Sequence, residues 1–330
     1  MPDELLTVLG ADAEQNDKNA PELSERDLRT LYEALVLARI LDEHCELLHD
    51  GGKLSFWVPS GVAAAVAAGS ALALDDADWL YPSFRSAAAY WLRGGSVEQW
   101  VAQMLGSADD SQHGRQVAGH ASLPDGRYVS VSGVLANHVQ QAAGTALAMR
   151  LRGEPAAVLA LLGAGSAAQA GFHSALELAA RLALPLVLVA RTDGHLDLAS
   201  RAAGYGLGTQ RVDGGDVLAV LKAARAARAQ AAGGRGAQLV EAIVHEGDAV
   251  DPAVRLRPFL EHRGLWDPGR QEDLQQRCHA RIAAAIEVAE SIGKPPAATM
   301  FDDVYADRPW MLQEQAEQLS RELETREENA

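Results

Sequence analysis

Residues 156–198 read AAVLALLGAGSAAQAGFHSALELAARLALPLVLVARTDGHLDL, and the reading of this stretch decides the fold. An apolar run (Ala157, Val158, Leu159, Ala160, Leu161, Leu162) breaks on Gly163-Ala164-Gly165. Helical spacing then carries Phe172, Leu176, Ala179 and Ala180 across residues 166–182. A second apolar run over residues 184–190 ends on Arg191-Thr192-Asp193-Gly194. The order is strand, tight glycine turn, helix, parallel strand, polar turn, and such units gather ligands at the carboxyl ends of their strands. A site therefore belongs at Gly163 to Gly165 and at Arg191 to His195.

Three readings of the glycine turn stand side by side. Gly163-Ala164-Gly165-Ser166-Ala167-Ala168 fits the dinucleotide fingerprint G-x-G-x-x-(G/A), in which missing side chains let a pyrophosphate approach a helix N-terminus; this would make an NAD(P)-binding Rossmann oxidoreductase. Alternatively, the turn and Arg191-Thr192-Asp193-Gly194 are two halves of a thiamine-diphosphate and magnesium motif, Gly-Asp-Gly followed after one helix and one strand by Asn-Asn-Gly. Or the glycines only make a tight turn.

Composition narrows the class. The 330 residues are 48% hydrophobic, enough for a core, and no apolar run approaches the roughly 20 residues of a membrane span. The expectation is a soluble globular protein, without a secretory signal because Met1-Pro2-Asp3-Glu4 lacks a basic segment before an apolar one, and cytoplasmic. Cys45 and Cys278, distant in sequence, read as free thiols of a reducing compartment. A net charge of −16 opposes nonspecific nucleic-acid binding, and an anionic cofactor would need locally placed arginines.

The remaining elements follow from periodicity. Residues 1–22 are polar and aperiodic and read as a mobile arm or a strap over a neighbour; 23–250 form the α/β domain; 251–330 form a helical extension. Ser24 with Asp27 starts an amphipathic helix running to Gly51. Residues 61–74, nearly all small, predict a helix packed on several sides. Helices are predicted over 96–105, 136–150, 216–231, 254–263, 271–292 and 309–326, and strands over 129–134, 209–212 and 238–244. The alternation implies a mostly parallel, doubly wound sheet with helical N-terminal and C-terminal extensions.

Several segments in register resemble the alpha subunit of the thiamine-diphosphate-dependent decarboxylating component of 2-oxo-acid dehydrogenase complexes, the branched-chain type in particular. They are Lys53-Leu54-Ser55-Phe56-Trp57, Gly114-Arg115-Gln116-Val117-Ala118-Gly119-His120, Gly171-Phe172-His173-Ser174-Ala175-Leu176, Arg211-Val212-Asp213-Gly214-Gly215-Asp216-Val217 and Gly264-Leu265-Trp266-Asp267. Phe301-Asp302-Asp303-Val304-Tyr305-Ala306 with Pro309-Trp310 and Leu312 is similar to that family's C-terminal signature. The resemblance covers roughly residues 24–325 and favours the thiamine-diphosphate reading over the nicotinamide one. It implies the thiamine-diphosphate-binding fold and a heterotetramer with a beta subunit, the cofactor lying at the interface. It further implies oxidative decarboxylation of a 2-oxo acid with acyl transfer to the lipoyl arm of an acyltransferase core. By the same resemblance Arg85 and Arg191 hold the diphosphate, Leu135 lies against the cofactor, and His120 is an active-site histidine. Asp193 is a magnesium ligand and His195 gives a backbone carbonyl to the metal.

The chain also departs from that pattern. Ala164 replaces the acidic metal ligand, and a methyl group cannot coordinate magnesium, which takes oxygen ligands. Ala63 and Ala64 stand for two glutamates, Gln169 for a glutamate and Gly171 for an aspartate. Only about nine residues separate Gly194 from Gly204. Val244-His245-Glu246-Gly247-Asp248 runs almost directly into the C-terminal helices, without the family's histidine-bearing loop. The expectation is a family fold with impaired or absent catalysis, or else a non-catalytic partner that stabilises or regulates a beta subunit.

Overall fold

The computed structural model describes residues 5–10, 13–245, 247, 250–302 and 304–328. Parts of the predicted arm (1–4, 11–12), Glu246 and Asp248 after the last strand, Asp303 of the C-terminal signature and residues 329–330 lie outside the described residues.

Five strands form one parallel sheet in the order β1-β2-β3-β5-β4: β1 Trp79–Tyr81, β2 Val158–Gly163, β3 Leu186–Thr192, β4 Gly208–Asp213 and β5 Gln238–Ile243. The two apolar runs of the opening stretch are β2 and β3, paired from Val158↔Leu186 to Gly163↔Arg191. Their unbroken hydrophobicity has a geometric cause, since successive side chains leave a strand on opposite faces and both faces are covered. Leu159, Leu161, Val187 and Val189 enter one core, while Val158, Ala160, Leu162, Leu186, Leu188 and Ala190 enter the other.

The second core is closed by α6 (Asn137–Arg152), α7 (Ala170–Arg181) and α8 (Leu198–Gly204). On the first face lie α2 (Glu25–Asp50), α3 (Ala63–Leu72), α4 (Ala87–Leu92), α5 (Val97–Leu105) and α9 (Val217–Gln230). The small-residue helix α3 is buried from Ala63 to Ala71 and packs on α9 so closely that a Cβ on Gly69 would stand 2.8 Å from the Val217 carbonyl. Helices α10 (Pro252–His262) and α11 (Pro268–Ile292) pack on α2 and α5 and give Leu256, Phe259, Leu260, Leu274 and Ile282 to the same core. The last helix, α12 (Trp310–Glu328), follows an exposed segment. Among the described residues no helix is long and apolar enough to cross a membrane, and Cys45 and Cys278 are buried free thiols.

Three expectations need correction. Residues 5–10, read from the sequence as part of a mobile arm or a strap over a neighbour, dock on their own chain: Leu6 bridges Val212 on the edge strand, and the buried Asp216 carboxylate accepts the Val8 and Leu9 N–H groups. Val8 and Leu9 also enter the first core, an apolar contribution that the polar residues flanking this short run obscured. Within this segment the chain also forms a short helix, α1 (Ala13–Asn19). Residues 129–134 are not a strand. Tyr128 makes an isolated bridge to Leu80, after which the chain leaves the sheet through Ser130, Ser132 and Gly133. Finally, α8 was not anticipated in the short β3–β4 connection, where Asp197 caps it and Glu241 accepts the Leu198 and Ala199 N–H groups.

Candidate cofactor site

A cavity of about 730 Å³ opens beyond the carboxyl ends of β1, β2, β3 and β5. That size suits a cofactor or small-molecule ligand. Each strand delivers its own wall: Ser83-Phe84-Arg85 after β1, Gly163-Ala164-Gly165-Ser166 after β2, Arg191-Thr192-Asp193 at the end of β3, and Val244-His245 after β5. Val58, Ser132, Val134, Leu135 and His138 complete it. The sequence-predicted residues Arg85, Leu135, Gly163, Ala164, Gly165, Arg191 and Asp193 therefore converge on one space.

The turn after β2 is a single 3-10 turn, Ala164–Ala168, leading into α7. Its glycines allow close approach: a Cβ on Gly163 would stand 4.0 Å from Arg191 Nη2, and one on Gly165 3.6 Å from Leu135 Cδ1. Leu135 is 54% exposed and followed by Ala136, a buried residue at φ 62°, a left-handed conformation that alanine adopts only under constraint. The strained residue begins α6 and turns Leu135 over Gly165. Gly171 also has a local reason, since Gln140 fills the space where any side chain would stand.

On the β3 side, Thr192 is buried, donates to Glu241 Oε1 at 2.9 Å and accepts the Gly194 N–H at 3.1 Å. Asp193 is exposed, and its Oδ1 accepts the His195 N–H at 3.1 Å, closing the turn. His195 itself is not in the wall.

His120 is placed one layer back. It is buried, its Nδ1 donates to the Val117 carbonyl at 2.9 Å, and its ring meets Phe84 edge-on at 5.0 Å. Phe84 stands in the wall, whereas His120 does not. The sequence reading missed His138. Its Nε2 donates to the Leu161 carbonyl at 2.8 Å, its Nδ1 is buried without a partner, and burial holds its pKa below the usual histidine value. A lone histidine opening an alanine-rich helix was the available signal. Glu241, the one carboxylate in the apolar run of β5, was a second such signal.

The residues fit a diphosphate. Arg85 and Arg191 supply cationic donors, and Ser83, Ser132 and Ser166 supply hydroxyls. For magnesium the described wall offers one carboxylate, Asp193, whose Oδ1 accepts the His195 N–H and whose Oδ2 is left for a ligand, while Ala164 offers only a methyl group; no three His, Cys, Asp or Glu side chains among the described residues are grouped to hold a metal.

Fold and site define a doubly wound α/β protein with an arginine-lined anion cavity at its strand ends. The family model described as "Dehydrogenase E1 component" matches residues 32–246, and the chain belongs to that family, whose members depend on thiamine diphosphate. It is 28% identical to the mitochondrial 2-oxoisovalerate dehydrogenase subunit alpha of Bos taurus, over 94% of this chain and 76% of that protein. It is 27% identical to the pyruvate dehydrogenase E1 component subunit alpha of Staphylococcus aureus strain Mu50, over 92% of this chain and 88% of that protein. Among solved structures, the transketolase of Campylobacter jejuni matches with a TM-score of 0.51 at 15% identity, over 80% of this chain and 47% of that one. A Pichia stipitis transketolase matches with a TM-score of 0.50 at 15% identity, over 82% and 46%. The chain spans about half the length of these transketolases, and the likeness shows the fold. The resemblance read from the sequence motifs, its fold class and its family cofactor are borne out.

Proposed function

We propose that this chain is a diverged alpha-type subunit of a 2-oxo-acid dehydrogenase, which holds the diphosphate end of thiamine diphosphate but supports decarboxylation weakly or not at all. One observation carries this reading: Ala164, at the first turn of the cavity, presents a methyl group in the same wall as Arg85 and Arg191. When bound, the cofactor supplies the carbanion chemistry that releases carbon dioxide from a 2-oxo acid; the protein supplies binding and orientation. Arg85 and Arg191 would hold the diphosphate, and Leu135, turned over Gly165, would lie against the rest of the cofactor. His120 stands behind the Phe84 ring and positions that part of the wall rather than touching the ligand.

Exposed apolar residues support pairing with a beta subunit. Val134 is 67% exposed beside Leu135 at the cavity, and Tyr305 and Trp310 are 64% and 70% exposed near the C-terminus. Such residues call for a partner surface, here a beta subunit completing a heterotetramer that docks on a lipoyl-bearing core. The two buried free thiols support a reducing compartment, the cytoplasm. The test is co-expression with the beta-type subunit encoded nearest, followed by sedimentation and by turnover of 2-oxoisovalerate with thiamine diphosphate and magnesium. The expected result is a heterotetramer that releases little or no carbon dioxide. A stable monomer indifferent to the beta subunit, or full turnover, overturns the reading.

A further inference from the structure

We infer that His173 and Tyr205 are positioning residues for the cofactor: together they fix the turn after β2 and tie it to α8, the short helix that also steadies the end of β3. This rests on the reading of the cavity as a diphosphate site and says what holds two of its walls in place.

The turn is anchored one residue beyond its cavity-lining part. Gly163, Ala164, Gly165 and Ser166 stand in the wall, whereas the Ala167 methyl is buried in the second core. The Ala167 carbonyl accepts a hydrogen bond from His173 Nε2 at 3.0 Å, and His173 Nδ1 stands 2.9 Å from the Tyr205 hydroxyl. A carbonyl only accepts, so Nε2 carries the proton and Nδ1 is left to accept the Tyr205 O–H. Both ring nitrogens then have a partner, and the tyrosine sets which of them donates to the turn. Phe172, buried beside it, meets the imidazole edge-on at 5.4 Å and helps hold its orientation.

Tyr205 directly follows Gly204, the last residue of α8. At the other end of that helix, Leu198 and Ala199 donate their N–H groups to Glu241, the carboxylate that also takes the Thr192 hydroxyl between Arg191 and Asp193. One end of α8 therefore reaches the β3 wall and the other the β2 wall, while the buried side chains of Leu198 and Ala202 seat the helix on the second core. Only residues 193–207 separate β3 from β4, a connection with little slack, so the two walls are held in a fixed relation. Groups that lock the supports of a site without touching its ligand set how well the site is formed before binding.

The experiment measures thiamine diphosphate binding in excess magnesium by calorimetry, on the full chain alone and with its beta-type subunit, and hydrogen exchange of residues 163–169 without ligand. An amide nitrogen in His173→Gln reaches the place of Nε2, whereas His173→Asn supplies only an oxygen in place of Nδ1, so the pair isolates the bond to the turn. His173→Asn should weaken binding by about tenfold, and Tyr205→Phe by about threefold, the range of one lost hydrogen bond. Both should speed exchange in the turn. His173→Gln should stay within about threefold of wild type, and Tyr205→Phe should add nothing in the His173→Asn background, because the hydroxyl acts through the histidine. Wild-type affinity in His173→Asn, or the same loss in His173→Asn and His173→Gln, overturns the inference while leaving the diphosphate site standing. Absence of binding by the wild-type chain under every condition removes the diphosphate reading and this inference with it.

Discussion

Glu241 in β5 holds Thr192 in β3: the threonine hydroxyl donates to Glu241 Oε1 at 2.9 Å, between the two residues, Arg191 and Asp193, that face the cofactor cavity. The same carboxylate accepts the Leu198 and Ala199 N–H groups at 3.2 and 3.1 Å and faces Arg211 at 3.5 Å. A fully buried charge is tolerable because these donors surround it. Glu241→Gln turns an amide N–H₂ toward groups that themselves donate, and should lower stability by about 3 kcal/mol. Thr192→Val removes one donor and should cost about 1 kcal/mol. Urea unfolding of the two variants measures both; equal, negligible losses would show that the β3–β5 contact does not fix the end of β3.

The two arginines are expected to act as direct anion ligands. Arg85→Ala and Arg191→Ala should each weaken binding of thiamine diphosphate by about 1.5–3 kcal/mol, the size of a hydrogen bond to a charged group. Residues engaged only in surface ion pairs would change affinity by less than about 1 kcal/mol. Calorimetry on the two variants separates these cases.

The sheet was legible because β2 and β3 are buried on both faces and carry no polar residue before Arg191, at the end of β3. Ser24 gave the start of α2 for a local reason as well: it accepts the Asp27 N–H at 3.1 Å. The placement of His120 was not legible, since whether a loop histidine faces a cavity or the back of Phe84 depends on packing between residues far apart in sequence. The docking of residues 5–10 was hidden for a related reason. Its anchor, Asp216, lies more than 200 residues away and doubles as the N-cap of α9. His138 and Glu241 were single polar residues in apolar surroundings, a signal that marks a position without telling which partner satisfies it.

Restoring a metal ligand should not restore turnover. Ala164→Asp adds a carboxylate at the first turn of the cavity, and in magnesium its affinity for thiamine diphosphate should rise by about tenfold, or 1.4 kcal/mol. Tighter binding of the ground state does not by itself lower a barrier. Only residues 244–251 lie between Ile243, the last residue of β5, and Pro252, the first of α10, and they bring a single histidine, His245, to the cavity wall, where the resemblance read from the sequence implies a longer histidine-bearing loop. Carbon dioxide release from 2-oxoisovalerate by the variant, assembled with its beta-type subunit, should remain at the wild-type level. A large gain would place the entire defect at Ala164.

Asp42 makes the stability of the chain depend on pH in an unusual direction. Its carboxylate accepts the Ser60 N–H at 2.8 Å, the Gly61 N–H at 3.3 Å and the Trp57 Nε1–H at 3.3 Å, and so ties α2 to the segment that brings Val58 to the cavity. Burial outweighs these bonds and raises its pKa from 3.8 to about 6. The folded state thus holds this proton more tightly than the unfolded chain does. Its contribution is complete below about pH 4 and is lost as pH rises through about 6, by at most roughly 3 kcal/mol. His138 works oppositely, since burial lowers its pKa; its contribution is complete above the ordinary histidine value and is lost as pH falls below it. Asp42→Asn keeps an oxygen acceptor for the Ser60 and Gly61 N–H groups but cannot titrate. The stability difference, variant minus wild type, should therefore climb between about pH 4 and pH 7 and then level off, while the variant itself keeps the His138 loss on the acid side. Urea unfolding across that range gives the difference curve, and a flat one would show that solvent reaches Asp42 freely in the folded protein.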